Sequence, residues 1–162
     1  MNEILEILVN DARTPVEDIA KMVNKPVAAV RKVIKAYESD GTIVQYKAVV
    51  NPEMVQDKSP AAVRALIEVG ILPQKDVGFD RIAERIYSFS EVQSCYLVSG
   101  SYDLLLVIEG QSIQTVAEFV SSKLSPMEGV RQTTTHFLLK KYKEDGKIFR
   151  QPAGNKRLNI TY

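Results

Sequence analysis

A single cysteine, a single histidine and no tryptophan narrow what this sequence can do. One thiol, Cys95, excludes an internal disulfide and suits a reducing compartment. One imidazole, His136, has no neighbouring Cys or carboxylate cluster at metal-ligand spacing, so no metal site or other cofactor is expected. His136 reads instead as a strand-face residue, and Cys95 as a small buried one. No run of apolar residues approaches a membrane span, and MNEILEILVNDAR lacks the basic start and small-residue cleavage site of a signal peptide. A cytoplasmic protein without a membrane partner is therefore expected. Ser/His/Asp sets, phosphate loops and dinucleotide fingerprints are missing as well.

The chain also lacks an excess of either charge, with a formal net of +1. Residues 1–60 carry 8 basic and 9 acidic side chains, residues 61–145 carry 9 and 11, and residues 146–162 carry 4 and none. Nucleic-acid binding must then rest on local patches and not on a basic domain. With 45% hydrophobic and 25% charged residues in 162, the composition is that of a folded protein of one domain or two small ones.

Ile4, Leu5 and Leu8 mark a first short amphipathic helix. Thr14-Pro15-Val16-Glu17 opens a second, with Thr14 as N-cap, Pro15 at the first position and Glu17 completing a capping box. Val16, Ile19 and Val23 would form its buried side. Asn24-Lys25 suits a tight turn, because Asn tolerates left-handed dihedrals. A third helix follows from Pro26 and ends at Asp40-Gly41, where the glycine suits a cap. Its stripe of Val30, Val33, Ile34 and Tyr37 faces a core, while Arg31, Lys32 and Lys35 lie opposite. This is a helix-turn-helix pattern with a basic third helix. Arg31, Lys32 and Lys35 are expected to contact phosphates, with Lys25 and the amides at the helix start beside them. Ala28, in the first turn of the same face, offers no hydrogen bond to a base edge.

Ile43–Val50 is β-branched and reads as one linking strand, which needs a partner strand from a second subunit. From Ala61 the order changes to strand (61–71), helix (Phe79, Ile82, Ala83, Ile86), two strands joined by a tight turn (92–100 and 102–110), helix (Val116, Phe119, Val120, Leu124) and a last strand (130–142). This βαββαβ order is that of a ferredoxin-like α+β domain. The expected organisation is a helix-turn-helix domain with linking strand (1–50), a linker (51–60), a ferredoxin-like domain (61–145) and a flexible basic tail (146–162), read as a solubilising end or, alternatively, an auxiliary DNA or subunit contact.

In this order and at this length the chain resembles the Lrp/AsnC, or feast/famine, transcription regulators. The resemblance is carried by ILEILVNDAR, VRKVIKAYESDGTIVQYKAVVNPE, VSGSYDLLLVIEG and GVRQTTTHFLLKKYK. It implies a sequence-selective regulator that binds double-stranded promoter DNA and responds to an amino acid or related small molecule. It also implies dimers joined through the linking strand and the sheet faces, often built into tetramers or octamers. The effector site it implies lies between subunits at the turn Ser99, Gly100, Ser101, Tyr102 and Asp103, with Thr134 of the last strand nearby. Turn amides and hydroxyls would hold a carboxylate and Asp103 an ammonium. Two departures stand out: Ala28 and Ala29 replace a common Ser/Thr pair, and Ser101 stands where the family tends to have aspartate. Two alternatives share the plan, a sensor that has lost DNA binding and an enzyme of the siroheme decarboxylase type. The second depends on histidines and arginines around a tetrapyrrole, and here only His136 is present.

Overall fold

Residues 2–51, 54–55, 62–72 and 78–149 are described by a computed structural model of the chain. It divides into two compact units, Met1–Val50 and Asn51–Tyr162.

The first unit holds α1 (Glu3–Asn10), α2 (Val16–Met22) and α3 (Val27–Ser39). Its core is small: Ile4, Leu8, Ile19, Ala20 and Val30 are buried, with Val16, Val23, Val33, Ile34 and Ile43 packed around them. Asn2 caps α1, its side-chain oxygen accepting from the Ile4 amide at 3.0 Å. The expected capping box at Thr14 does not form. The Thr14 hydroxyl donates to the Asp11 carbonyl at 2.9 Å, the Asp11 carboxylate takes the Arg13 amide, and Pro15 becomes the N-cap without a side-chain bond. Asp11 thus organises this turn and commits Thr14 before the helix begins. At the α2–α3 turn Asn24 has φ of 49°, as its tolerance of left-handed backbone predicts. Helix α3 stops as expected at Asp40, with Gly41 at φ of 78°.

Beyond α3 the expected strand Ile43–Val50 is not a strand within the chain. The Ile43 amide is tied to the Tyr37 carbonyl at 2.8 Å and the Tyr46 hydroxyl donates to Glu38, but residues 44–50 join no ladder. A strand exists through pairing, and this unit has no other strand among its described residues. Val44, Tyr46 and Val50 remain exposed.

The second unit is the expected βαββαβ: β1 (Val63–Ile71), α4 (Gly78–Tyr87), β2 (Val92–Leu97), β3 (Leu104–Gly110), α5 (Ile113–Phe119) and β4 (Val130–Phe137). The antiparallel sheet runs β2-β3-β1-β4, so the first and third strands are central. Strand alternation sends Ala65, Ile67, Val69, Leu104, Leu106 and Ile108 to one face, where Ile82, Ile86, Val116, Phe119 and Leu124 cover them. Each such side chain, fully removed from water, contributes about 1.5–3 kcal/mol before entropy is counted. All the apolar positions that mark the two helices in the sequence therefore face this core. A π-helical turn over Val120–Leu124 continues α5 and carries Leu124 inward. Gly129, at φ of 92°, approaches Ile82 so closely that an added Cβ would sit 2.6 Å from Cδ1.

The opposite face of the sheet carries Leu66, Glu68, Leu105, Val107, Tyr96, Thr134 and His136, none of them buried. The last strand ends at Phe137, short of the expected 142. The start of the expected flexible tail at 146 is also corrected, because β5 (Lys143–Glu144) and β6 (Lys147–Ile148) form a hairpin. Asp145 and Gly146 both have positive φ, 46° and 77°, which a two-residue turn of this kind requires. Arg64 Nη1 and Lys141 Nζ hold Glu144 at 2.8 and 3.0 Å. Residues 150–162, most of the expected basic tail, lie outside the described residues.

Candidate nucleic-acid interface and effector site

Helix α3 repeats its residues every 3.6 positions, so Ala28, Arg31, Lys32 and Lys35 share one face opposite Val30. Val30 is fully buried, whereas Ala28, Arg31, Lys32 and Lys35 are all exposed, as is Lys25 just before the helix. The stripe of three cations is continuous with a helix start that has no acidic residue in its first turn and no side-chain cap. The positive end of the helix dipole therefore lies next to Lys25, two residues before the helix, with no acidic side chain of the first turn to offset it. An open groove of about 500 Å³, lined by Glu17, Lys21, Asn24, Lys25, Pro26 and Val27 among others, lies at this start.

One contact was not legible in the sequence. Arg31 Nη2 stands 3.4 Å from Glu17 Oε1 on α2, fourteen residues away, with both side chains more than half exposed. An exposed pair of that length is worth only about 0–1 kcal/mol. It points the guanidinium toward α2 without committing it.

In the second unit the loop between β2 and β3 is closed by the Val98 amide on the Asp103 carbonyl at 2.9 Å. Ser99, Gly100 and Ser101 are exposed, and Tyr102 and Asp103 half-buried. Asp103 is more committed than a surface acceptor. Its amide donates to the Val69 carbonyl at 3.0 Å, and its Oδ2 accepts from the Ile71 amide at 2.7 Å, where the pairing of β1 with β4 slips by a residue. One carboxylate oxygen is thus part of the sheet.

The threonine run divides by strand alternation. Thr133 and Thr135 lie opposite buried Val69 and Ile67, and the Thr133 and Ser125 hydroxyls meet at 3.3 Å. Thr134, opposite Glu68, is exposed on the other face with His136. Asp103, in the loop just before β3, and Thr134 on β4 flank β1 from its two sides, so the fold brings both parts of the expected site to one strand. His136 is the strand-face residue expected, its Nε2 3.2 Å from Glu68 Oε1. Cys95 is half-buried against the core, and burial pushes its thiol pKa up, away from reactivity. Among the described residues no group of three or more His, Cys, Asp or Glu is placed to hold a metal ion, and no helix is long and apolar enough to cross a membrane.

Two family models match the chain. Residues 2–44 match a family model described as winged helix-turn-helix DNA-binding, and residues 64–148 match the Lrp/AsnC ligand binding domain. The chain is 47% identical over 159 residues to the HTH-type transcriptional regulator YugG of Bacillus subtilis, covering 98% of this chain and 95% of that one. It is 34% identical over 140 residues to the regulator LrpA of Pyrococcus horikoshii, covering 86% and 94%. Among solved structures, the transcriptional regulator NMB0573 of Neisseria meningitidis in complex with L-methionine matches with a TM-score of 0.67 and 27% identity. That match covers 88% of this chain and 89% of the other.

Proposed function

The chain belongs to the Lrp/AsnC family of DNA-binding transcription regulators, and from that premise we propose how its two units divide the work. The first anchors on double-stranded DNA through Arg31, Lys32 and Lys35, with Lys25 and the α3 start on an adjacent phosphate. Ala28 faces the duplex without reading a base. The observation that carries this reading is the exposed, uncapped cationic face of α3. Selectivity then depends in part on the shape and bending of the DNA, read by several helix-turn-helix units along one face of the duplex.

The second unit responds to an amino acid held beside the Ser99–Asp103 loop, with Gly100, Ser101 and Tyr102 shaping its edge and Thr134 across β1. Support comes from the half-buried Asp103 carboxylate at the sheet end. The relative solved with L-methionine bound gives the ligand class. The chain works as a homo-oligomer, at least a dimer. The exposed apolar residues of 43–50 and the uncovered sheet face with Leu66, Leu105, Val107 and Tyr96 are the surfaces to be joined. Its place is the cytoplasm and it is not an enzyme; the relatives, regulators by name, favour neither the sensor-only nor the decarboxylase alternative.

The test is a mobility-shift titration on the DNA upstream of its own gene, with random DNA alongside, and a melting-temperature screen of the full amino-acid set. An amino acid that binds the folded state raises the melting temperature by mass action. A chain that shifts neither DNA loses the regulator reading, and a flat screen loses the effector reading. A monodisperse species of 18.1 kDa by light scattering at micromolar concentration loses the oligomer.

A further inference from the structure

The end of β1 is approached from both sides by opposite charges that do not meet. Gly70 pairs with Gln132, and the register of β1 against β4 slips between Gly70 and Ile71. A Cβ placed on Gly70 would begin 2.9 Å from Gln132 Cγ and 3.4 and 3.5 Å from Nη2 and Nε of Arg131. Gly70 has no positive φ, so its backbone does not demand glycine. An added side chain would crowd Gln132, while the exposed Arg131 guanidinium stands at contact distance over Gly70, so it lies across the end of the strand. From the opposite side, in the loop just before β3, Asp103 brings its carboxylate to the Ile71 amide at 2.7 Å. A cation and an anion thus converge on two consecutive residues of β1. They form no ion pair with each other, and Arg131 has no hydrogen bond or ion pair with any other described residue. A carboxylate has about four acceptor positions, and the Ile71 amide takes one of those on Asp103.

We infer that Arg131 is the carboxylate anchor of the effector site. It forms paired hydrogen bonds to the α-carboxylate of an amino acid whose ammonium rests on Asp103. The inference builds on the amino-acid reading above and changes it in one respect. The carboxylate is held by a guanidinium across β1, in place of the amides and hydroxyls of Ser99, Gly100 and Ser101. A planar fork of donors matches a carboxylate in a way that the separate amides and hydroxyls of an exposed turn do not. It also gives the site a chemical filter, because a ligand without a free carboxylate leaves the fork unpaired.

The measurement is calorimetric binding of the amino acid that gives the largest thermal shift and of its carboxamide, to the full chain. Wild type is expected to favour the acid by at least about tenfold, the range of one hydrogen-bonded charge. Arg131→Gln should bring the acid-to-amide ratio near one while leaving the ligand-free melting temperature and DNA binding in place. Arg131→Lys should keep part of the ratio. If Arg131→Gln retains the wild-type ratio, the anchor is elsewhere and the inference fails while the effector reading stands. If wild type binds no member of the amino-acid set, the effector reading itself falls and this inference with it.

Discussion

The two units present function in different ways. In the first, every group expected to meet DNA except Lys25, just before it, sits on one thirteen-residue helix, and the position of Val30 in the core fixes where Arg31, Lys32 and Lys35 must point. In the second, Gly70 of β1, Asp103 of the loop entering β3 and Arg131 of β4 come near one another only because β1 lies between β3 and β4. A surface on one helix is set by local periodicity. A site at a sheet end is set by register, which no short stretch of sequence contains.

The sharpest way to break the comparison is to damage each core separately. Ile19 and Leu106 are both fully buried, one in each unit. Replacing either by Ala should cost about 2–5 kcal/mol. Ile19→Ala should abolish DNA binding and spare the amino-acid response, and Leu106→Ala should do the reverse. Equal loss of both activities in both variants would show that the units do not act separately. Paired mobility-shift and thermal-shift measurements decide it.

A smaller effect separates the two roles of Asp103. Asp103→Ala leaves the Ile71 amide without its acceptor, which should cost about 1–3 kcal/mol in denaturant unfolding and remove the amino-acid shift. Asp103→Asn keeps an acceptor oxygen and loses the charge. It should recover most of the stability and none of the preference for an ammonium-bearing ligand. An Asn variant that responds normally to amino acids removes Asp103 from the site.

Smaller again is Glu17→Gln. Releasing Arg31 from its 3.4 Å partner, and removing a negative charge near the phosphates, should tighten binding to target and random DNA alike by up to about fivefold. Weaker binding would mean that Glu17 positions Arg31 instead of competing for it.

The least effect is expected at Glu144. Lys141 first, then Arg64, hold its carboxyl below its ordinary value of 4.5. A depressed carboxylate stabilises the fold fully above its unfolded pKa and loses that contribution as pH falls through the folded value. The melting-temperature difference between wild type and Glu144→Gln should therefore be present at pH 7 and vanish under acid. A difference independent of pH contradicts the pairing.

The fold was largely legible because both units announce their cores by period. The pattern of apolar residues locates α1 to α5 and β1 to β4, and Asn24 and Gly41 mark turns by their tolerance of positive φ. The misses have physical causes. Thr14 has the chemistry of a cap, but Asp11 three residues earlier claims its hydroxyl. Asp145-Gly146 was a readable hairpin signal inside a segment that otherwise loses periodicity. The π-helical turn at Val120–Leu124 leaves no mark in composition, although Ser121 and Ser122 there turn their hydroxyls back to the Glu118 carbonyl. Of the candidate site, the cationic face of α3 could be read in full. Arg131 could not, since its place beside the end of β1 depends on the register of β4 against a strand some sixty positions earlier in the chain.

The central claim is that α3 anchors the protein to DNA by charge more than it reads bases, and the direct measurement is the salt dependence of binding to target and random DNA for wild type, Arg31→Ala and Lys35→Ala. Each variant should bind both DNAs more weakly by a similar factor, and the slope of log affinity against log salt should become shallower by about one unit per removed phosphate contact. If Arg31→Ala instead collapses the ratio of target to random affinity and leaves the random-DNA slope untouched, Arg31 reads a base and the anchoring account is wrong.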